Sequence, residues 1–279
     1  SSTNIAAALD DLLRCGDFFI CASERQRDLW LGSLLEAGRI NPHTWDADNS
    51  LRRLIDVVPF GVSDLPPPIR QPQDRARISP HLTESARVLL WAGGIYNWFD
   101  PLSLIRSVAR VHSECPDIRL VFMSTTHPNQ GVPERMWMPE RAHQLADQLG
   151  VLGTVVIFND TWIPYERRGD WLAAADCGVS THFDHTETRF AFRTRMLDYF
   201  WARLPVICSD GDVLADLVRQ RDLGWVVAPE DESGLVGALR AFAQLGEEYQ
   251  AMRTRVGAVA AKMTWSHVTQ PLLAYCEDL

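Results

Sequence analysis

Residues 87–246 predict an α/β protein built on a doubly wound parallel sheet. From Val88 onward, short apolar runs alternate with segments of helical length, the pattern of strands joined by crossover helices. Runs such as Arg87-Val-Leu-Leu-Trp91 and Pro205-Val-Ile-Cys208 are apolar throughout rather than alternating, as strands covered on both faces must be. The first of them ends in Gly93-Gly94, and glycines at the carboxyl end of a parallel strand let a ligand approach the backbone.

In chain order, Phe18-Phe-Ile-Cys-Ala22 reads as a first strand. A helix is expected over 23–37, with Ser23 as cap and Leu29, Trp30, Leu34 and Leu35 at packing positions. Residues 39–50 are polar and turn-rich, and Leu54-Ile-Asp-Val-Val-Pro-Phe-Gly-Val62 reads as a strand entering a loop. The proline-rich Leu65-Pro-Pro-Pro-Ile-Arg-Gln-Pro72 follows as an arm. Strands are then expected over 88–94, 118–124, 154–158, 176–181, 205–209 and 223–228. The helices between and after them fall at 100–114, 138–150, 166–175, 194–203, 211–219 and 232–246. Residues 125–139 hold three prolines without periodicity, which predicts a long, mobile loop near the ligand edge. The tail over 247–279 should form one or two helices with Pro271 between them.

Composition excludes several functions. Apolar content of 46% and charged content of 23% are ordinary for a globular chain. A net charge of −9 argues against nucleic acid as the main partner. No segment approaches the ~18 to 20 unbroken apolar residues of a membrane span, and no signal pattern opens the chain. A cytoplasmic protein, or one peripheral to the inner membrane face, is the expectation. None of the six cysteines makes a CxxC pair, and Cys21, Cys177 and Cys208 lie in or beside strand-like runs, so they read as buried free thiols rather than metal ligands.

The richest chemistry lies between His182 and Asp212. Thr194 is a good cap type, and Leu197, Phe200 and Trp201 follow at helical spacing, so a helix should begin there. Its amino end, flanked by Arg193 and Arg195, suits a phosphate, and Asp198 one turn on shares the face of Thr194 and can take a hydroxyl. Asn159-Asp-Thr-Trp162 follows a strand: Asp160 falls in a loop whose backbone can meet a base edge, and Trp162 either stacks on that base or is a half-buried packing aromatic. His182 either contacts a phosphate or sugar hydroxyl or is a structural histidine bonded to Asp184. Trp98, just past the glycine turn, is a further candidate for donor contact.

The run from Glu187 to Asp212 resembles the donor site of the retaining GT-B glycosyltransferases of family 4, in which a loop Glu precedes a helix bearing a second Glu and then a Gly-x-Pro-Val strand. Anchored on Leu204-Pro205-Val206-Ile207, Asp198 falls at the second acid, which in the family holds the ribose. Glu187 matches the first, the contact to the donor sugar and the candidate catalytic residue, with Asp184 as the alternative. Ten residues separate Glu187 from Asp198, against the family's seven. The family also places an Arg and a Lys on the diphosphate, at positions that align here near Gly94 and Phe99, and the one lysine of this chain is Lys262. Either Arg193 and Arg195 replace that clamp or backbone N–H groups hold the donor.

The resemblance implies a Rossmann-like C-terminal half of a GT-B fold plus the last strand and helix of the N-terminal domain. Ile55-Asp-Val-Val-Pro-Phe-Gly-Val62 fits the family's passage between the two domains. The expected division is 1–58 as the end of the acceptor domain, 59–86 as an arm, 87–246 as the donor-binding domain and 247–279 as helices returning to the N-terminal domain. The implied substrate is a nucleoside diphosphate sugar, used without cofactor or metal, and the implied acceptor a carbohydrate or glycolipid. With so little of an acceptor domain evident, the 279 residues are expected to bind donor without turnover unless an N-terminal domain or partner chain is supplied. The competing readings are a nucleotide-sugar epimerase and a non-catalytic GT-B-like partner or regulator.

Overall fold

The computed structural model describes residues 2–125 and 136–277. The described chain begins with helix α1 (Ser2–Cys15), an element not expected above, then strand β1 (Phe19–Cys21), α2 (Glu24–Glu36), α3 (Pro42–Ala47) and β2 (Ile55–Val57). β1 and β2 pair in parallel as a two-stranded sheet. Ser23 caps α2 as expected, accepting from the Gln26 N–H at 3.2 Å. Leu34 is buried, but Leu29 and Leu35, expected to pack, are exposed: α2 is a polar helix that buries a narrow stripe. Helix α4 (Asp74–Ile78) sits in the arm.

The main sheet has six parallel strands: β3 (Arg87–Trp91), β4 (Ile118–Phe122), β5 (Val156–Phe158), β6 (Cys177–Ser180), β7 (Val206–Ser209) and β8 (Gly224–Val227), in the order β5-β4-β3-β6-β7-β8. The order reverses direction between β3 and β6. Val88, Leu90, Val206 and Cys208 point into a core with α7 (Arg168–Ala174), α8 (Arg195–Trp201), α9 (Val213–Arg221) and α11 (Glu248–Ala260). Leu89, Trp91, Cys177 and Ile207 point the other way, against α5 (Pro101–Val111), α6 (Met138–Gln148) and α10 (Glu232–Ala243). Consecutive strand residues serve opposite cores, which is why the runs are apolar without alternation. Caps fix the helix starts: Asp100 accepts from Ser103 N–H at 3.0 Å before Pro101 opens α5, and Asp212 accepts from the N–H groups of Leu214 and Ala215 at 2.9 and 2.8 Å before α9.

Two expectations are corrected. The tail forms three helices, α11, α12 (Trp265–Val268) and α13 (Gln270–Glu277), and Pro271 lies inside the first turn of α13 rather than between helices. A first-turn residue has no intrahelical acceptor for its N–H, so proline is tolerated there. Thr194 precedes α8 but caps nothing with its side chain, because its backbone is already helical. Of the loop expected over 125–139, residues 126–135 lie outside the described ones, and α6 begins at Met138.

The arm and the tail run together: Val62 N–H donates to Met263 O at 2.7 Å, and Trp265 N–H to Val62 O at 3.0 Å. Tyr275 of α13 stacks on Phe18, 4.3 Å between ring centres, so the last helix packs beside the start of β1. The cysteines of the strands, Cys21, Cys177 and Cys208, are buried free thiols. Among the described residues no helix is long and apolar enough to cross a membrane.

Candidate functional site

A cleft of about 520 Å³ opens at the carboxyl end of β3, one of the two strands between which the strand order reverses, the usual ligand position in an open α/β sheet. Of the residues singled out in the sequence, Gly93, Gly94, Trp98, Glu187, Arg193, Thr194, Arg195 and Asp198 line it. Gly93 has φ +91°, and a Cβ built there would meet nothing within 4 Å, so backbone conformation rather than crowding selects glycine. The facing wall comes from the arm and the tail, with Phe60, Ser63 and Trp265.

Helix α8 is fastened to the strand ends by Tyr199. Its buried hydroxyl accepts from Ala92 N–H and donates to Val179 O, both at 2.9 Å, joining β3 to β6 at the cleft floor. Burial raises its pKa, so it stays a donor. Gly178 leaves the ring its space: a Cβ there would come within 2.2 Å of Tyr199 Cγ.

Arg195 lies along the floor. Its Nη2 donates to Gly94 O at 2.9 Å, and its guanidinium sits over the rings of Phe99 and Trp91, at 4.1 and 4.8 Å. Nη1 is sealed from solvent without a hydrogen-bond partner. Burial lowers its pKa to about 10, which leaves it charged at neutral pH. Among the described residues it has no carboxylate partner. The contacts with Gly94 and Phe99 put this cation against the two positions where the resembling family carries its Arg and Lys.

Arg193 is placed differently. It is buried, with Nε 3.1 Å from Asp212 Oδ2, Nη2 3.8 Å from Glu187 Oε2, and Nη2 donating to Thr188 Oγ1 at 3.5 Å. Its charge is therefore committed to the Asp212 that caps α9. His182, expected either at the donor or as a structural histidine, does not line the cleft. It is buried just past the end of β6, its Nδ1 3.0 Å from Phe183 O and its Nε2 3.9 Å from Asp212 Oδ2, so the acid within 4 Å of the ring is Asp212 rather than Asp184. Burial, with Arg193 nearby, lowers its pKa to about 4 and keeps it neutral.

Asp198 pairs with Arg168 Nη1 at 2.9 Å, not with Arg195 one turn away. Burial raises the carboxyl's pKa and Arg168 opposes this. Arg168 escaped the sequence reading: it opens α7 beside Arg167 with no periodic signal, yet its guanidinium lies 3.8 Å over Tyr165 and lines the cleft. Asp160 and Trp162 also lie outside the lining. Asp160 meets His143 Nε2 at 3.2 Å and accepts from Thr125 Oγ1 at 2.8 Å, and Trp162 is half exposed.

The α/β fold with its six-stranded parallel sheet is that of the GT-B glycosyltransferases. The family model described as glycosyl transferases group 1 matches residues 86–244, more than half of the chain, and the chain belongs to that family. A D-inositol 3-phosphate glycosyltransferase of Nocardioides sp. is 30% identical over 242 residues, 82% of this chain and 49% of the relative. The chain thus spans about half the length of that curated relative. Anabaena Alr3699/HepE, solved with UDP and glucose, is similar with a TM-score of 0.74 at 15% identity, over 100% of this chain and 68% of that one. The sucrose-phosphate synthase of Thermosynechococcus elongatus has a TM-score of 0.64 at 18% identity, over 100% and 62%. At these identities the solved structures speak for the fold alone.

Proposed function

We propose that the cleft binds a nucleoside diphosphate sugar and that the chain is the donor-binding part of a retaining glycosyltransferase acting on a carbohydrate or glycolipid acceptor. The observation that carries this reading is Arg195, a charged guanidinium without a carboxylate partner among the described residues, beside the glycine turn that ends β3. A half-buried cation lacking a counter-ion is costly, and a diphosphate against it would supply the missing charge. Asp198 accepts the ribose hydroxyls, Glu187 meets the sugar, and the acceptor hydroxyl comes from the side of the N-terminal unit. As the bond to the anomeric carbon breaks, negative charge grows on the departing diphosphate, and the fixed Arg195 stabilises it there. The UDP bound by HepE makes UDP the first nucleotide to test.

Calorimetry against UDP-, GDP- and TDP-sugars tests the reading. One charge-assisted hydrogen bond contributes about 1.5–3 kcal/mol, so Arg195→Ala should weaken diphosphate nucleotide binding roughly ten- to a hundredfold. Unchanged affinity in that variant removes Arg195 as the clamp. The rival reading, a non-catalytic GT-B-like partner, draws on the absent family Arg and Lys, and failure to bind any of these nucleotides would favour it.

A further inference from the structure

Glu187 lies on a 3-10 turn, Thr186–Phe190, that is short and largely exposed, so something beyond its own turn must hold the carboxylate in place. From within, Thr188 Oγ1 donates to Phe183 O at 3.3 Å. The firmer contacts come from outside, from α2 of the N-terminal unit. Arg25 Nη1 donates to Arg189 O at 3.3 Å, and Gln26 Nε2 donates to Phe190 O at 2.8 Å, two and three residues after Glu187. The Gln26 amide is oriented for this, because its Oε1 accepts from Ala22 N–H at 2.8 Å. Arg25 Nη1 also donates to Gly211 O at 2.7 Å, and its Nη2 pairs with Asp216 at 2.5 Å. Gly211 immediately precedes Asp212, the acid that holds Arg193 beneath Glu187. One helix end therefore grips both turns that converge on this carboxylate.

Helix α2 is itself held firmly. Ser23 caps it, and the buried Arg27 donates from Nε to Ile55 O at 2.9 Å and from Nη2 to Ser50 O. We propose that Arg25 and Gln26 are positioning residues for Glu187, through which the N-terminal unit sets the preference of the cleft for the sugar part of the donor. This rests on the donor-site reading above. Arg25 and Gln26 are not among the cleft-lining residues, so their substitution should spare the nucleotide half of the ligand and affect the sugar half.

The test measures UDP and UDP-hexose affinities by calorimetry, and amide hydrogen exchange over 186–191, in the wild type and in Arg25→Ala, Arg25→Lys and the milder Gln26→Ala. In Arg25→Ala, UDP affinity should stay within twofold. The extra affinity of the UDP-hexose that the wild type binds best should fall at least fivefold, with faster exchange over 186–191 and partial recovery in Arg25→Lys. Equal weakening of both ligands would show that the contacts serve stability only, and unchanged discrimination or exchange would show that they do not position the loop; either overturns the proposal. A wild type that binds neither UDP nor any UDP-hexose would refute the donor-site reading itself, and the positioning role with it.

Discussion

At the scale of single residues, burial rather than sequence neighbourhood sets the charge states around this cleft. His182 titrates near 4 in the folded chain and near 6.5 when unfolded. Between those values the unfolded state holds a proton that the folded state lacks, so this contribution to stability is full above pH 6.5 and is lost as pH falls towards 4. Arg193, Glu187, Asp184 and Asp212 surround the ring, and the raised pKa of Asp212 acts in the opposite sense, so the comparison must be between variants. Between pH 7 and 4.5, the wild type should lose about 2 kcal/mol more than His182→Gln in urea unfolding. Parallel pH profiles for the two proteins would contradict the buried neutral imidazole.

At the scale of elements, α8 was legible and its fastening was not. Leu197, Phe200 and Trp201 at helical spacing placed the helix, and the acids and arginines at its start placed the cleft. That Tyr199 would bolt α8 to β3 and β6 could not be read, because Ala92, Gly178 and Val179 lie far from it in the chain. Gly178→Ala should destabilise the fold by more than about 3 kcal/mol, since neither the strand nor the packed ring can yield the space. Tyr199→Phe should cost about 1–3 kcal/mol by leaving the Ala92 N–H unsatisfied. Thermal unfolding of both variants checks the ranking, and a Gly178→Ala protein as stable as the wild type would contradict this packing.

At the scale of the whole molecule, Asp176 joins the arm, the sheet and the tail. Its Oδ1 accepts from Arg70 Nη2 at 2.8 Å, and its Oδ2 accepts from Arg75 Nη2 and, at 2.8 Å, from Val88 N–H. Its backbone carbonyl accepts from Tyr249 of α11 at 2.9 Å. Arg75 is buried, and removing its acid strands a cation. Asp176→Ala should cost about 3–5 kcal/mol of unfolding free energy in urea, with faster proteolysis of residues 59–86. A loss under about 1 kcal/mol would mean that the carbonyl contacts of Arg70 and Arg75 hold the arm by themselves.

Local chemistry was sufficient for much of this protein. Apolar runs without alternation gave the six parallel strands, Ser23 gave the start of α2, and the Gly93-Gly94 turn with the Arg193–Asp198 segment pointed to the cleft. Each of these is written in residues that are neighbours along the chain. Tertiary structure decided which cation faces the cleft: Arg193 and Arg195 are equivalent in sequence, yet one is taken up by Asp212 and the other lies against Gly94 and Phe99. It also brought Arg168 to Asp198 and Arg25 to the turn of Glu187, contacts across 30 and 164 residues. Long-range pairing of polar side chains has no period and no local signature, so only the folded chain reveals it.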